Sequence, residues 1–333
     1  MDAGQIMSAL LLSAADIRAL LSPADCAAAV EHAFRESRAG GAFAPAPMHL
    51  ECDGGGVHAK GATLRKGDAL YAAVKVNANF PANPGRNGLP TVQGVLVLID
   101  ARNGAVLAVL DSTELTLLRT AAASGIAARY LARKDAGVLA IVGCGAQAAP
   151  HVAAVAAALT IRCGFAADLD IARARRFAQH MTALHGIPFE ASSSPTEATD
   201  RSDIIVTATT ATAPILDAAD IRPGTFIAAV GADSPHKGEI APALLARARV
   251  VVDSLGQCAI MGDLRHAIAA GAMTAADVHA EIADIVIGAV PGRTREDEIF
   301  IFDSTGTALQ DVAAASVVYE RAAASGGVQF HFA

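Results

Sequence analysis

Three charged residues stand where their types could do chemistry. Lys75 lies inside an apolar strand pattern, Tyr71-Ala72-Ala73-Val74-Lys75-Val76. A lysine there is either on the solvated face or held in a site, where burial lowers its pKa and readies it for proton transfer. Arg119 sits in Leu115-Thr116-Leu117-Leu118-Arg119-Thr120, before a run of alanines. That is a small-residue helix start from which a guanidinium can grip a carboxylate with two parallel hydrogen bonds. Asp233 follows the apolar stretch 226–230 in Gly231-Ala232-Asp233-Ser234-Pro235, at the carboxyl edge where doubly wound folds place ligands. From spacing alone, each reads equally well as a surface charge or a cap.

A fourth feature concerns a cofactor. Residues 138–148 read Val-Leu-Ala-Ile-Val-Gly143-Cys-Gly145-Ala146-Gln147-Ala148. An apolar strand runs into Gly-x-Gly-x-x-Ala and then into an alanine-rich helix. Gly143 permits the tight turn. Gly145 removes a side chain that would keep a pyrophosphate from the amides at the helix N-terminus, where the dipole favours negative charge. Ala148 lets helix and strand approach closely. The six-residue pattern alone is a weak signal; its place between strand and helix makes it a fairly strong one. The fingerprint also calls for an acid about 20 residues on, to bind ribose hydroxyls. Asp168 is the first candidate and Asp170 the second; a carboxylate there repels a 2′-phosphate, so NAD is expected ahead of NADP. The plainer reading is a packing turn and a helix-capping Asp168.

The elements that must position these residues follow two rhythms. Ser13 with Asp16, and Ser22 with Pro23 and Asp25, mark two opening helices. Stretches 56–59, 69–76, 92–100 and 105–110 read as strands separated by Gly, Pro and Asn turns, with Asn103-Gly104 as a hairpin signal. Beyond Asp111 a long helix (115–133) and a buried strand (138–142) open an alternation of helices (148–159, 171–185) and short apolar strands (161–165, 204–208, 226–230, 250–252). A last helix covers 307–324. The pattern predicts an α/β chain: a Rossmann-type doubly wound parallel sheet at 115–306, inserted into an α+β substrate and dimerisation domain at 1–114 that residues 307–333 complete.

Composition excludes other classes. The 333 residues are 53% hydrophobic, 18% charged and 4% aromatic, without Trp, and carry a net charge of −7. A basic run and aromatic platforms for nucleic acid are both lacking. The five cysteines (Cys26, Cys52, Cys144, Cys163, Cys258) have no paired spacing, so neither a disulfide framework nor a metal site is expected and a reducing compartment is. The stretch 6–12 lacks the charged start of a secretory leader, and no apolar run reaches about 18 residues. A cytoplasmic enzyme without membrane or nucleic acid partners is the expectation.

Taken together, these segments resemble the ornithine cyclodeaminase/mu-crystallin family. The resemblance is carried by Ala73-Val-Lys75-Val, Asn87-Gly-Leu-Pro-Thr-Val-Gln-Gly94, Leu115-Thr-x-x-Arg119-Thr-Ala-Ala, Ile141-Val-Gly143-x-Gly145-Ala-Gln147, Ala229-Val-Gly231-Ala-Asp233-Ser-Pro and Phe302-Asp-Ser304-x-Gly306-x-Ala-x-Gln-Asp311. It implies a homodimer joined through the N-terminal domain. It also implies that Lys75 and Arg119 hold the carboxylate of a small amino or imino acid, that Lys75 moves a proton, and that Asp233 faces the amine. Gly143, Gly145, Ala146, Gln147, Asp168, Thr209, Val230 and the Ser304–Gly306 turn would lie against the dinucleotide. Hydride exchange at a carbon bearing nitrogen needs such an anion clamp, an acid/base and a dry pocket. Three activities share these parts: an imine reductase or amino acid dehydrogenase, a cyclodeaminase that recycles its NAD, and a crystallin-like binding protein without turnover. One departure stands out. The family places an Arg after a Pro early in this domain, whereas Ala44-Pro-Ala-Pro47-Met-His-Leu50 has none. Lys60, the nearest cation in sequence, either compensates or is a solvated strand-end lysine.

Overall fold

A computed structural model describes residues 8–332, so residues 1–7, including the first two of the stretch read for a leader, lie outside the described residues. The chain forms two compact units, Met1–Arg119 with Thr307–Ala333 and Thr120–Gly306.

In the first unit, strands β1 (Ser8–Leu12), β2 (Ala42–Phe43), β3 (Met48–Cys52), β4 (Gly55–Lys66), β5 (Ala69–Asn79), β6 (Val92–Asp100), β7 (Val106–Asp111) and β16 (Val328–His331) form one sheet. Its order is β16-β1-β7-β6-β5-β4-β2, with β3 on β4; β1 and β7 are parallel and the other pairs antiparallel. Alternation along β5 and β6 sends Tyr71, Ala73, Lys75, Leu96 and Leu98 to the buried face. Helices α1 (Ala14–Leu20) and α2 (Pro23–Ala39) start where the serine caps require: Ser13 forms a full capping box with Asp16, and Ser22 accepts from the Asp25 amide. With them are α3 (Asn83–Arg86), α4 (Ser112–Leu131), within which the boundary at residue 119 falls, and α12 (Ala308–Ser325). Helix α12 packs on α2, β4 and β5.

The expected strand at 56–59 is the first part of a twelve-residue strand, β4, because full pairing with β5 carries its glycines. The Asn103-Gly104 signal does mark the β6–β7 connection. The loop is longer than a two-residue hairpin, however, with Gly104 alone left-handed (φ 81°) and the Ala105 carbonyl accepting from the Asp100 amide.

The second unit holds eight strands: β8 (Val138–Val142), β9 (Cys163–Ala167), β10 (Phe189–Ser192), β11 (Ile204–Thr207), β12 (Phe226–Ala229), β13 (Arg249–Val252), β14 (Ala280–Glu281) and β15 (Phe300–Asp303). All are parallel, in the order β10-β9-β8-β11-β12-β15-β13-β14. Strands β11, β12 and β15 are buried at every position, as strands covered on both faces must be. The helices are α5 (Ala148–Ala158), α6 (Ile171–His185), α7 (Pro195–Thr199), α8 (Pro242–Arg247), α9 (Leu255–Met261), α10 (Asp263–Ala269) and α11 (Ile282–Val286). The chain winds outward from β8 to β10 and then returns to β11 on the other side of β8. This reversal is the switch point of a doubly wound sheet, and ligands bind outside the carboxyl ends of the strands flanking it.

Candidate active site

The first unit gathers its charges around one carboxylate. Lys75 on β5 and Arg119 on α4 are 5% and 4% exposed, and Asp311, in the first turn of α12, is 1% exposed. Lys75 Nζ lies 2.9 Å from each Asp311 oxygen and donates to Thr116 Oγ1 at 3.2 Å. Arg119 Nε stands 2.9 Å from Asp311 Oδ1, and its Nη1 donates to Gln310 Oε1 at 2.8 Å. Lys60 on β4 is the direct cross-strand partner of Lys75, so both side chains leave the same face of the sheet. The geometry therefore brings Lys60, Lys75 and Arg119 together. Burial is the main force on Lys75, seconded by the Arg119 charge and opposed by Asp311, and it brings the ammonium down to about 7. Asp311 is held below the ordinary carboxylate range because Arg119 and Lys75 outweigh its burial. Gln310 Nε2 and Thr307 Oγ1 are buried with no hydrogen-bond partner in the same unit.

The roles of Asp311, Gln310 and Thr116 were not apparent from sequence. An acid in a first helical turn reads as a dipole-stabilising residue, and only the fold reveals two cations against it.

The second unit lines up the residues expected at a dinucleotide along one edge of its sheet. Gly143 directly follows β8 at φ 95°, and a Cβ there would stand 2.7 Å from the Ala208 carbonyl oxygen; only glycine permits this approach to the end of β11. A Cβ on Gly145 would point into open space, which leaves room for a diphosphate at the start of α5. No side chain caps that helix, and Gln147 Oε1 is buried without a partner beside it. A glycine-lined opening at an uncapped N-terminus fits a pyrophosphate. Asp168 directly follows β9, two residues nearer the strand end than the expected 161–165 strand placed it. It accepts from the Cys144 amide at 2.9 Å and the Asp170 amide at 2.9 Å, with Arg173 at 3.5 Å. Thr209, Val230 and Ser304–Gly306 follow β11, β12 and β15 at the same edge. The last turn is held by Asp253, which accepts from Ser304 Oγ, Thr305 Oγ1 and the Gly306 amide at 3.2, 3.1 and 2.6 Å. Asp233 lies in this unit too, half-exposed, with Lys237 Nζ at 2.6 Å.

The fold is thus a Rossmann-type parallel sheet in one unit, and an α+β sheet unit that carries a buried lysine–arginine pair and is closed by the last helix. The chain belongs to the ornithine cyclodeaminase/mu-crystallin family, whose model matches residues 7–326. It is 40% identical over 316 residues to an alanine dehydrogenase of Archaeoglobus fulgidus, covering 95% of this chain and 96% of that one. Among solved structures it superposes on an archaeal alanine dehydrogenase dimer with bound NAD at a TM-score of 0.93, with 38% identity over 98% of this chain and 100% of that one. On the Δ1-pyrroline-2-carboxylate reductase of Thermococcus litoralis, solved with NADH and L-proline, the TM-score is 0.91, with 34% identity over 97% and 99% of the two chains.

Asp311 is the group that makes two buried cations tolerable. Asp311→Asn should lower the unfolding free energy by about 3–5 kcal/mol, because an uncompensated buried charge is left behind. Urea unfolding of the apoprotein at neutral pH checks this, and a loss below about 1 kcal/mol would mean the cations are balanced elsewhere.

Proposed function

We propose that the chain is an NAD(H)-dependent oxidoreductase acting at the carbon–nitrogen bond of a small amino or imino acid, with reduction of a ketimine acid as its characteristic reaction. The observation that carries this reading is the shared carboxylate. Lys75 and Arg119 both pair with Asp311 in a buried setting, so two cations face one anion, and a substrate carboxylate supplies the missing charge. The names of the similar proteins, alanine dehydrogenase and pyrroline-2-carboxylate reductase, agree with such a substrate.

When bound, the reduced nicotinamide supplies a hydride to the imine carbon. The residues do the rest. Arg119, aimed by Gln310 and Asp311, fixes the substrate carboxylate. Lys75, as the ammonium, donates its proton to the imine nitrogen as the C=N π pair moves onto that atom, and is then reprotonated from water. A lysine that titrates near neutrality is suited to both directions, since it is partly protonated and partly neutral at working pH. Asp233 would meet the amine, and Gly143, Gly145, Ala146, Gln147, Asp168, Thr209, Val230, Ser304 and Gly306 would hold the dinucleotide, with Lys60 beside the carboxylate. In this reading the site needs no metal.

The test is a screen of purified protein with NADH and proline-ring imines, with pyruvate plus ammonia, and with ornithine. Net NADH consumption with an imino acid is expected. Ammonia release from ornithine without net cofactor turnover would replace this reading with a cyclodeaminase, and silence across the panel despite NADH binding would replace it with a crystallin-like binding protein. The pH profile carries its own sign. Reductive kcat/KM should fall as pH rises through about 7 and Lys75 loses its proton, while the oxidative direction should rise there; Lys75→Ala should abolish both limbs.

Cofactor choice rests on Asp168. Asp168→Ala should weaken NADH binding roughly tenfold, about 1.4 kcal/mol, and relax discrimination against NADPH. An unchanged preference would mean that another group reads the ribose.

A homodimer is part of the same reading. The outer face of the first unit's sheet carries an aliphatic row, Leu11–Val109–Val97–Val74, flanked by Val76 and Val95, and Leu11, Val74, Val76 and Val95 are each more than a third exposed. Such a patch marks an association surface, and the similar archaeal structure is described as a dimer. Light scattering should give twice the chain mass of 33.7 kDa, and Val95→Lys should shift it toward the monomer. Among the described residues no helix is long and apolar enough to cross a membrane. The five free cysteines favour a cytoplasmic setting.

A further inference from the structure

Glu239 belongs to none of the segments that pointed to chemistry, yet it is completely buried at the edge of the second unit where the dinucleotide residues gather. It follows the Asp233 loop and precedes α8. Its two carboxylate oxygens take three donors from two neighbouring loops. Oε1 accepts from the Thr209 amide at 2.7 Å; Oε2 accepts from Thr207 Oγ1 at 2.6 Å and from the Gly231 amide at 2.7 Å. Thr207 ends β11 and Gly231 lies just beyond β12, so one side chain ties together the exits of two adjacent parallel strands. Gly231 is small for this contact: a Cβ there would stand 2.4 Å from Glu239 Oε1 and 2.5 Å from the Thr209 carbonyl oxygen.

The carboxylate rests on a fixed support. The Asp263 carboxylate accepts from the amides of Glu239 and Ile240 at 2.7 and 3.0 Å, and Asp303, at the end of β15, accepts from the amides of Asp263 and Leu264. Burial pushes the Glu239 carboxyl up, while its donors from Thr207, Thr209 and Gly231 oppose the shift. A buried acid held by three neutral donors is an expensive way to join two loops. The donor count explains the residue type. Glutamine has one acceptor oxygen, so its amide nitrogen would face either the Thr209 N–H or the Gly231 N–H, donor against donor. Aspartate is one methylene short of spanning the same groups.

We propose that Glu239 is a positioning residue for the dinucleotide, setting the separation of the Thr209 and Val230–Gly231 backbones against which the cofactor lies. The proposal rests on the dinucleotide reading of this unit. Glu239 acts through the loop amides.

Two readouts test it. In hydrogen exchange of the apoprotein, Glu239→Gln should speed exchange at Thr209 and Gly231 by tenfold or more while the amides of β8 and β9 keep wild-type protection. In fluorescence titration the same variant should raise the Kd for NADH about tenfold. The matched control is Asp203→Asn, which removes another largely buried carboxylate of this unit, bound to the Gly137 and Val138 amides at the opposite edge of the sheet; it should leave the Kd for NADH within twofold of wild type. Should Glu239→Gln not fold, Thr207→Val, which removes one donor without changing shape, should raise the Kd about threefold. An unchanged Kd and unchanged exchange at Thr209 and Gly231 would overturn the proposal, as would an equal loss of affinity in Asp203→Asn. Wild-type protein that binds no NADH would instead overturn the dinucleotide reading, leaving the exchange result to judge the bridge alone.

Discussion

The constraint on which the first unit depends is electrical. A lysine and an arginine are held in a largely dry interior by one carboxylate, Asp311. Burying either cation alone is prohibitive; burying both against a single acid is tolerable but leaves a positive remainder. Burial, seconded by that remainder, brings Lys75 down to a pKa near neutrality, and the remainder makes the place receptive to an anion. Substrate attraction and proton-transfer readiness are therefore one property of the cluster. The sheet serves it directly: alternation along β5 points Lys75 inward, and pairing with β4 sets Lys60 beside it.

The second unit uses acids differently. Asp253 and Glu239 accept from backbone amides that lie just beyond the ends of the strands, at Gly306, Thr209 and Gly231. The parallel sheet fixes the strands, but the loops leaving its carboxyl edge have no ladder of their own. Buried carboxylates supply the missing hydrogen-bond acceptors there.

Much of this was legible in the sequence. Capping serines placed α1 and α2, and the glycine turn placed β8 and α5, because those signals are local and each has one physical meaning. Lys75 remained ambiguous until burial decided between a solvated face and a site, since a period-two pattern says which residues share a face but not which face is covered. Strands β1, β2, β3, β10, β14, β15 and β16 went unread: they are two to five residues long, too short for a pattern of alternation to stand out. Asp311 and Glu239 were invisible as site residues for a different reason. An acid near the start of a helix is ordinary, and its importance lies in groups far away in the chain, such as Lys75 at a separation of 236 residues.

That separation bears on how the molecule is made. Lys75 and Arg119 leave the ribosome long before Asp311, which arrives on the last helix, after the entire residue 120–306 unit has been synthesised. Until then the nascent first sheet holds cations whose counter-charge does not yet exist, and it has every electrostatic reason to stay open to water. The dinucleotide unit has all its strands in one unbroken stretch and can consolidate first. Closure of the cation cluster is thus deferred until α12 has been synthesised, so that a chain cut short of that helix would be unable to seal the interior.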